Sequence, residues 1–210
     1  MQLETEWVKR PVIRLDMSRA GAEPESIQSY LDYTFQEYES LYEIEVSNDS
    51  SLATRLSEIV RIAYKQTGQQ VVILIDEYDS PLQRSWKTPL YEKCTAIYRD
   101  VFAILKSMDK FENFIFITAC TKFSQFSLTS GLNNLSFIGF DSEYDTLCGI
   151  TKEEAIRYFK PEINNLAACK GWTFDEAAMQ LSSYYGGYHF SSRNKVDVFN
   201  PFCLINALAD

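Results

Sequence analysis

Residues 69–83 read QQVVILIDEYDSPLQ, and the placement of this stretch decides the fold. Five apolar residues, Val71 to Ile75, run straight into the adjacent carboxylates Asp76 and Glu77. Asp79 follows, and Pro81 breaks the segment. An apolar run of this length predicts a buried strand. Its acidic end has two readings: solvated residues at a strand exit, or groups that hold a metal ion and a water.

Working outward, PVIRLDM (11–17) and NFIFITACT (113–121) read as two more apolar strands. Between and around them lie helical patterns. In residues 23–42, Ile27, Tyr30, Leu31, Phe35, Tyr38 and Leu41 recur with a helical period, and residues 50–68 repeat it with Leu52, Leu56, Ile59, Ile62 and Ala63. Gly68 is placed to stop the second helix. Residues 91–108 form a third helical stretch. Apolar strands without alternation, separated by helices, predict a parallel sheet covered on both faces. Ligands of such sheets sit beyond the carboxyl ends of the strands. Asp76, Glu77, Thr118 and Thr121 all fall at such ends.

After about residue 140 the pattern changes. Thr151-Lys-Glu-Glu154 and Thr173-Phe-Asp-Glu176 are capping boxes that open helices. YYGGYHF (184–190) is a Gly-Gly turn among aromatics, residues 199–210 begin a last helix, and no strong strand is evident. The expected organisation is an α/β core over 1–140 and a small helical appendage over 141–210.

The 210 residues can bury one ordinary core, and 46% hydrophobic with 23% charged content describes a globular chain. No apolar run approaches the ~20 residues needed to cross a bilayer, and the N-terminus lacks an apolar signal region, so a cytoplasmic protein is expected. Five widely spaced cysteines with no C-x-x-C pair predict reduced thiols. A formal charge of −9 argues against non-specific nucleic-acid binding, and ten acids against six Lys/Arg in 141–210 leave no basic half hidden.

An apolar strand ending in Asp-Glu has the shape of a Walker B motif, in which the Asp serves Mg²⁺ and the Glu polarises water. The chemistry needs hard oxygen ligands and an ionised base beside a phosphate. Together, VVILIDEYDSPL, FIFITACTKFSQFSLTSGLNNL, YYGGYHFS and VFNPFCLINAL resemble the AAA-ATPase-like proteins of bacteria, and WVKRPVIRLDMS resembles that family's second strand. These are P-loop ATPases often joined to a C-terminal nuclease-like domain of the PD-(D/E)XK type. The resemblance implies an incomplete P-loop NTPase-like parallel α/β core, with 141–210 a helical lid or the start of a winged-helix-like domain. It implies Asp76 as the metal residue, Glu77 as the catalytic residue, and Thr118 or Thr121 with Lys122 as the region near the γ-phosphate. ATP and Mg²⁺ are the implied cofactors.

One departure stands out. The phosphate loop G-x-x-x-x-G-K-[ST] should precede the first strand, yet these residues contain no Gly-Lys-Ser or Gly-Lys-Thr. Without it the N–H cradle for phosphates is missing. The expectation is a fragment of a longer protein, with the nuclease-like domain also outside it and little hydrolysis by this chain alone. The alternative is a non-catalytic interaction or regulatory module that keeps the fold.

The remaining candidates read more simply. His189 is the single histidine, which leaves no histidine-based triad or metal site, and a turn role is expected. Asp79 could join Glu77 in a nuclease-type metal site, for which Asp16 and Lys122 are further candidates by strand position only. Arg84 and Arg99 are candidate arginine fingers but sit in polar stretches that predict solvated side chains. Cys120 is expected as a small core residue at a buried strand end.

Overall fold

The structure is a computed structural model that describes residues 8–47, 50–120, 135–190 and 196–209. It divides into two compact units, residues 1–135 and 136–210.

The first unit is built on three parallel strands, β1 (Val12–Asp16), β2 (Val71–Asp76) and β3 (Glu112–Ile117), in the order β1-β2-β3. The stretch that opened the sequence reading is therefore the central strand. Register pairs Ile13 with Ile73, Leu15 with Ile75 and Asp16 with Asp76 across β1 and β2. Across β2 and β3 it pairs Ile73 with Ile115 and Ile75 with Ile117. The crossovers carry α1 (Pro24–Leu41), α2 (Leu52–Thr67), α3 (Ser80–Ser85) and α4 (Tyr91–Phe102).

Local chemistry explains the helix ends. Pro24 fills the first turn of α1, where a missing N–H costs nothing. Ser51 caps α2 by accepting from the Thr54 N–H, and Gly68 ends it in the left-handed region at φ 66°.

Ile13, Leu15, Ile73 and Ile75 point into one core with Ile27 and Leu31 of α1, Leu56 and Ile59 of α2, and Tyr98 and Phe102 of α4. Two tyrosines of α1 also close the outer edge of β1. The Arg14 N–H donates to the Tyr38 hydroxyl and the Asp16 N–H to the Tyr30 hydroxyl, both at 2.7 Å. Backbone groups of an edge strand need such partners.

The expected cover on both faces is corrected here. Among the described residues only one face is covered, because α1, α2 and α4 pack on one another and on the same side. The other face keeps Val12 46% and Phe114 53% exposed. Pairing by register puts Val12, Arg14 and Asp16 on this open face beside Val72, Leu74 and Asp76.

The second unit carries α5 (Lys152–Tyr158), α6 (Lys160–Lys170), α7 (Phe174–Tyr185) and α8 (Pro201–Ala209). Both capping boxes form, Thr151 with Glu154 and Thr173 with Glu176. Its own core joins Ala155, Ile163, Ala177, Leu181 and Leu204. A short antiparallel pair, β4 (Ile150–Thr151) with β5 (Val198–Phe199), was not expected. Strands of two residues are too short to leave a periodic signal. Among the described residues, no helix is long and apolar enough to cross a membrane.

Candidate functional site

The carboxyl end of β2 turns through an unusual residue. Glu77 adopts φ 46°, a left-handed conformation that few non-glycine residues take. The bend sends Tyr78 into the core at 1% exposure and leaves Glu77 exposed. Tyr78 packs edge-on to Tyr98, with ring centroids 5.0 Å apart. Burial pushes the Tyr78 phenol above its ordinary range. One buried aromatic thus anchors the bend and one exposed carboxylate sits on it. Outliers of this kind collect at functional sites, where packing must hold them.

Asp76 is held from two sides. Its Oδ1 accepts the Thr118 hydroxyl at 2.5 Å and the Glu77 N–H at 3.1 Å. The Glu77 N–H also lies 3.2 Å from the Thr118 hydroxyl oxygen, closing a small ring of bonds. The outer oxygen, Oδ2, faces the Arg14 guanidinium at 3.6 Å, with the Arg14 side chain 63% and the Asp76 side chain 45% exposed. An ion pair this exposed holds little, on the order of 0–1 kcal/mol. Asp76 therefore presents one fixed oxygen inward and one accessible oxygen outward.

The other candidates separate around this pair. Thr118, directly after β3, touches Asp76 as described. Thr121 and Lys122 lie outside the described residues. Asp16 is in register beside Asp76 but is turned to its own chain, where Oδ1 accepts the Ser18 N–H and hydroxyl and so caps a 3-10 turn, Met17–Arg19. Asp79 is 2% exposed and directed away from solvent. Its Oδ1 accepts the Cys120 N–H at 3.2 Å and its Oδ2 the Gln83 amide at 2.5 Å. A nuclease-type cluster of Asp16 and Asp79 is thus not assembled. Among the described residues, no group of three or more His, Cys, Asp or Glu is arranged to hold a metal ion.

Arg84 is exposed, as expected, and also makes backbone bonds. Its Nη2 donates to the Ser18 and Ala20 carbonyls, so it ties α3 to the turn after β1. Arg99 is exposed on α4. The reading of Cys120 is corrected: it is exposed, because β3 ends at Ile117 and the chain has already left the sheet. Its thiol is pushed up by partial burial and then by the charges of Asp79 and Glu77, which places it beside the pair. His189 lies 3.9 Å from Asp197, next to an isolated bridge between Tyr188 and Val198. Surface depressions of about 710 and 460 Å³ lie elsewhere, one along α2 at Arg61, Tyr64 and Phe111, the other at Arg19, Ser26 and Tyr30.

Sequence reasoning did not find Arg14 as the neighbour of Asp76 or the bond from Cys120 to Asp79. Both depend on register across strands some sixty and forty residues apart, which no local pattern encodes.

The comparisons with known proteins agree with this architecture. No solved structure matches the chain. An uncharacterized protein in the vnfD 5' region of Azotobacter chroococcum mcd 1 is 34% identical over 152 residues, which are 72% of this chain and 27% of that protein. The chain therefore spans only about a quarter of that relative's length. The AAA-ATPase-like family, described as predicted AAA-ATPase, matches residues 1–129, which contain all three parallel strands and the Asp76–Glu77 exit. By that match the chain belongs to the predicted AAA-ATPase family.

Proposed function

We propose that Asp76 and Glu77 are the metal-holding and water-orienting carboxylates of an ATPase whose phosphate cradle lies in sequence outside these 210 residues. The observation that carries this reading is the division of labour at the strand exit. Asp76 is pinned through Oδ1 by Thr118 and the Glu77 N–H while Oδ2 is accessible, and Glu77 stands exposed on a strained bend.

The donor set fits Mg²⁺, a hard ion that takes one or two carboxylates and completes its shell with water and phosphate oxygens. Asp76 Oδ2 is a hard oxygen on a rigid strand, paired among the described residues with an exposed arginine that a divalent ion can displace. Bound with ATP, Mg²⁺ supplies neutralisation of charge during phosphoryl transfer. The chain's own residues do the rest. Thr118 fixes the carboxylate plane of Asp76, so the ligand oxygen needs no reorganisation. Glu77, free of the core, orients a water and accepts its proton. Thr118, or Thr121 with Lys122, serves the γ-phosphate. Residues 141–210 serve as a lid or the start of a winged-helix-like domain, and the nuclease-like domain belongs to the remaining sequence.

Asp76→Ala in the full-length protein tests the metal role. The Mg²⁺ concentration giving half-maximal ATP hydrolysis should rise roughly tenfold or more. An unchanged Mg²⁺ requirement contradicts the assignment.

A further inference from the structure

Asp79 stands at the start of α3 in the position of an N-cap, yet its side chain makes no capping bond. An aspartate there ordinarily accepts a first-turn N–H of its own helix. Instead its carboxylate reaches across to the segment leaving β3.

The backbone explains why. The β2–β3 ladder ends at the Ile75–Ile117 pair, after which the Thr118 N–H donates to the Ile75 carbonyl and the Tyr78 N–H to the Thr118 carbonyl, both at 2.9 Å. The next acceptor in the alternation of the β2 side, the Glu77 carbonyl, is already taken by the Ser80 N–H at 2.9 Å as the chain turns into α3. The ladder has run out of backbone acceptors just where the Cys120 N–H needs one. Asp79 Oδ1 supplies it at 3.2 Å, and Gln83, one turn along α3, holds Oδ2 at 2.5 Å. A carboxylate that is 2% exposed is costly to bury unless such bonds compensate it.

We propose that Asp79 is a positioning residue that extends the β2–β3 pairing by one side-chain bond. It thereby holds residues 118–120 against Asp76 and Glu77. Its effect on turnover rests on the ATPase reading; its effect on the segment does not. Thr118 is the donor that fixes Asp76, so loosening the segment at Cys120 loosens Asp76 as well.

The chemistry of substitution separates positioning from direct participation. Asp79→Asn keeps Oδ1 as the acceptor for the Cys120 N–H, and its new amide finds the Gln83 oxygen after a flip of the Gln83 side chain. Asp79→Ala removes the bonds to Cys120 and Gln83.

Two readouts decide the matter. In the 210-residue chain, hydrogen exchange at the Cys120 amide should speed up roughly tenfold or more in Asp79→Ala and stay near wild type in Asp79→Asn. In the full-length protein, kcat for ATP should fall about tenfold in Asp79→Ala with KM little changed, and recover in Asp79→Asn. Unchanged exchange in Asp79→Ala overturns the proposal. So does an Asp79→Asn enzyme as slow as Asp79→Ala, which assigns the charge a direct role. If Asp79→Ala fails to fold, Asp79→Asn carries the test alone: retained exchange protection and turnover support positioning, and loss of either overturns it. If the wild-type protein hydrolyses no ATP, the ATPase reading falls, and the exchange experiment still decides whether Asp79 holds the segment.

Discussion

Glu77 combines a strained backbone with an exposed acid, and under the proposed ATPase role the two properties pull stability and activity in opposite directions. Its φ of 46° disfavours any side chain with a Cβ, whereas glycine adopts it freely. Glu77→Gly should therefore raise stability by up to about 1 kcal/mol in denaturant titration, the entropy of the unfolded glycine offsetting part of the gain. The same change should abolish ATP hydrolysis in the full-length protein. A variant that is both less stable and fully active contradicts the account of this bend. The acid pair itself was legible in the sequence, because an apolar run that ends in Asp-Glu is a local pattern. The left-handed turn was not, since nothing in the identity of Glu77 requires it.

At the scale of elements, α1 and α2 are joined by a buried arginine. Arg55 Nε and Nη2 donate to the two Glu39 oxygens at 2.6 and 2.8 Å, and Nη1 to Asp32. The side chains of Arg55 and Glu39 are 9% and 8% exposed. Glu39 carboxylate bonds hold the arginine charged, against the cost of burial. Arg55→Ala strands Glu39 without its partner and should cost about 3–5 kcal/mol in urea unfolding, whereas Arg55→Met with Glu39→Leu should cost far less. Helical spacing had placed α1 and α2 correctly but marked only their apolar residues, so the charged pair between them went unseen.

The start of β3 gives a pH-dependent counterpart. Burial and the nearby Asp109 raise the Glu112 carboxyl to about 7, and its Oε2 has no hydrogen-bond partner among the described residues. The folded state then binds more protons than the unfolded state between the ordinary carboxylate value and about 7, so stability falls as pH rises through that window. Glu112→Gln should flatten this slope in thermal unfolding measured from pH 4.5 to 7.5. An equally steep loss in the variant contradicts the assignment.

For the whole molecule, the three parallel strands followed from apolar runs separated by helical ones. The open face of the sheet did not, because Val12, Val72 and Phe114 read as core residues and only the grouping of the helices on the other side exposes or half-exposes them. The helices α5 and α7 declared themselves through the Thr151 and Thr173 capping boxes, while β4 and β5 were too short to announce themselves. The family match covers residues 1–129, and the relative is far longer than this chain. The most direct test is ATP turnover by the full-length protein carrying Glu77→Gln, measured beside ATP–Mg²⁺ binding. The amide keeps the shape of the carboxylate but cannot accept a proton from water, so binding should persist while hydrolysis falls ~10²-fold or more. Unchanged hydrolysis in that variant contradicts the account.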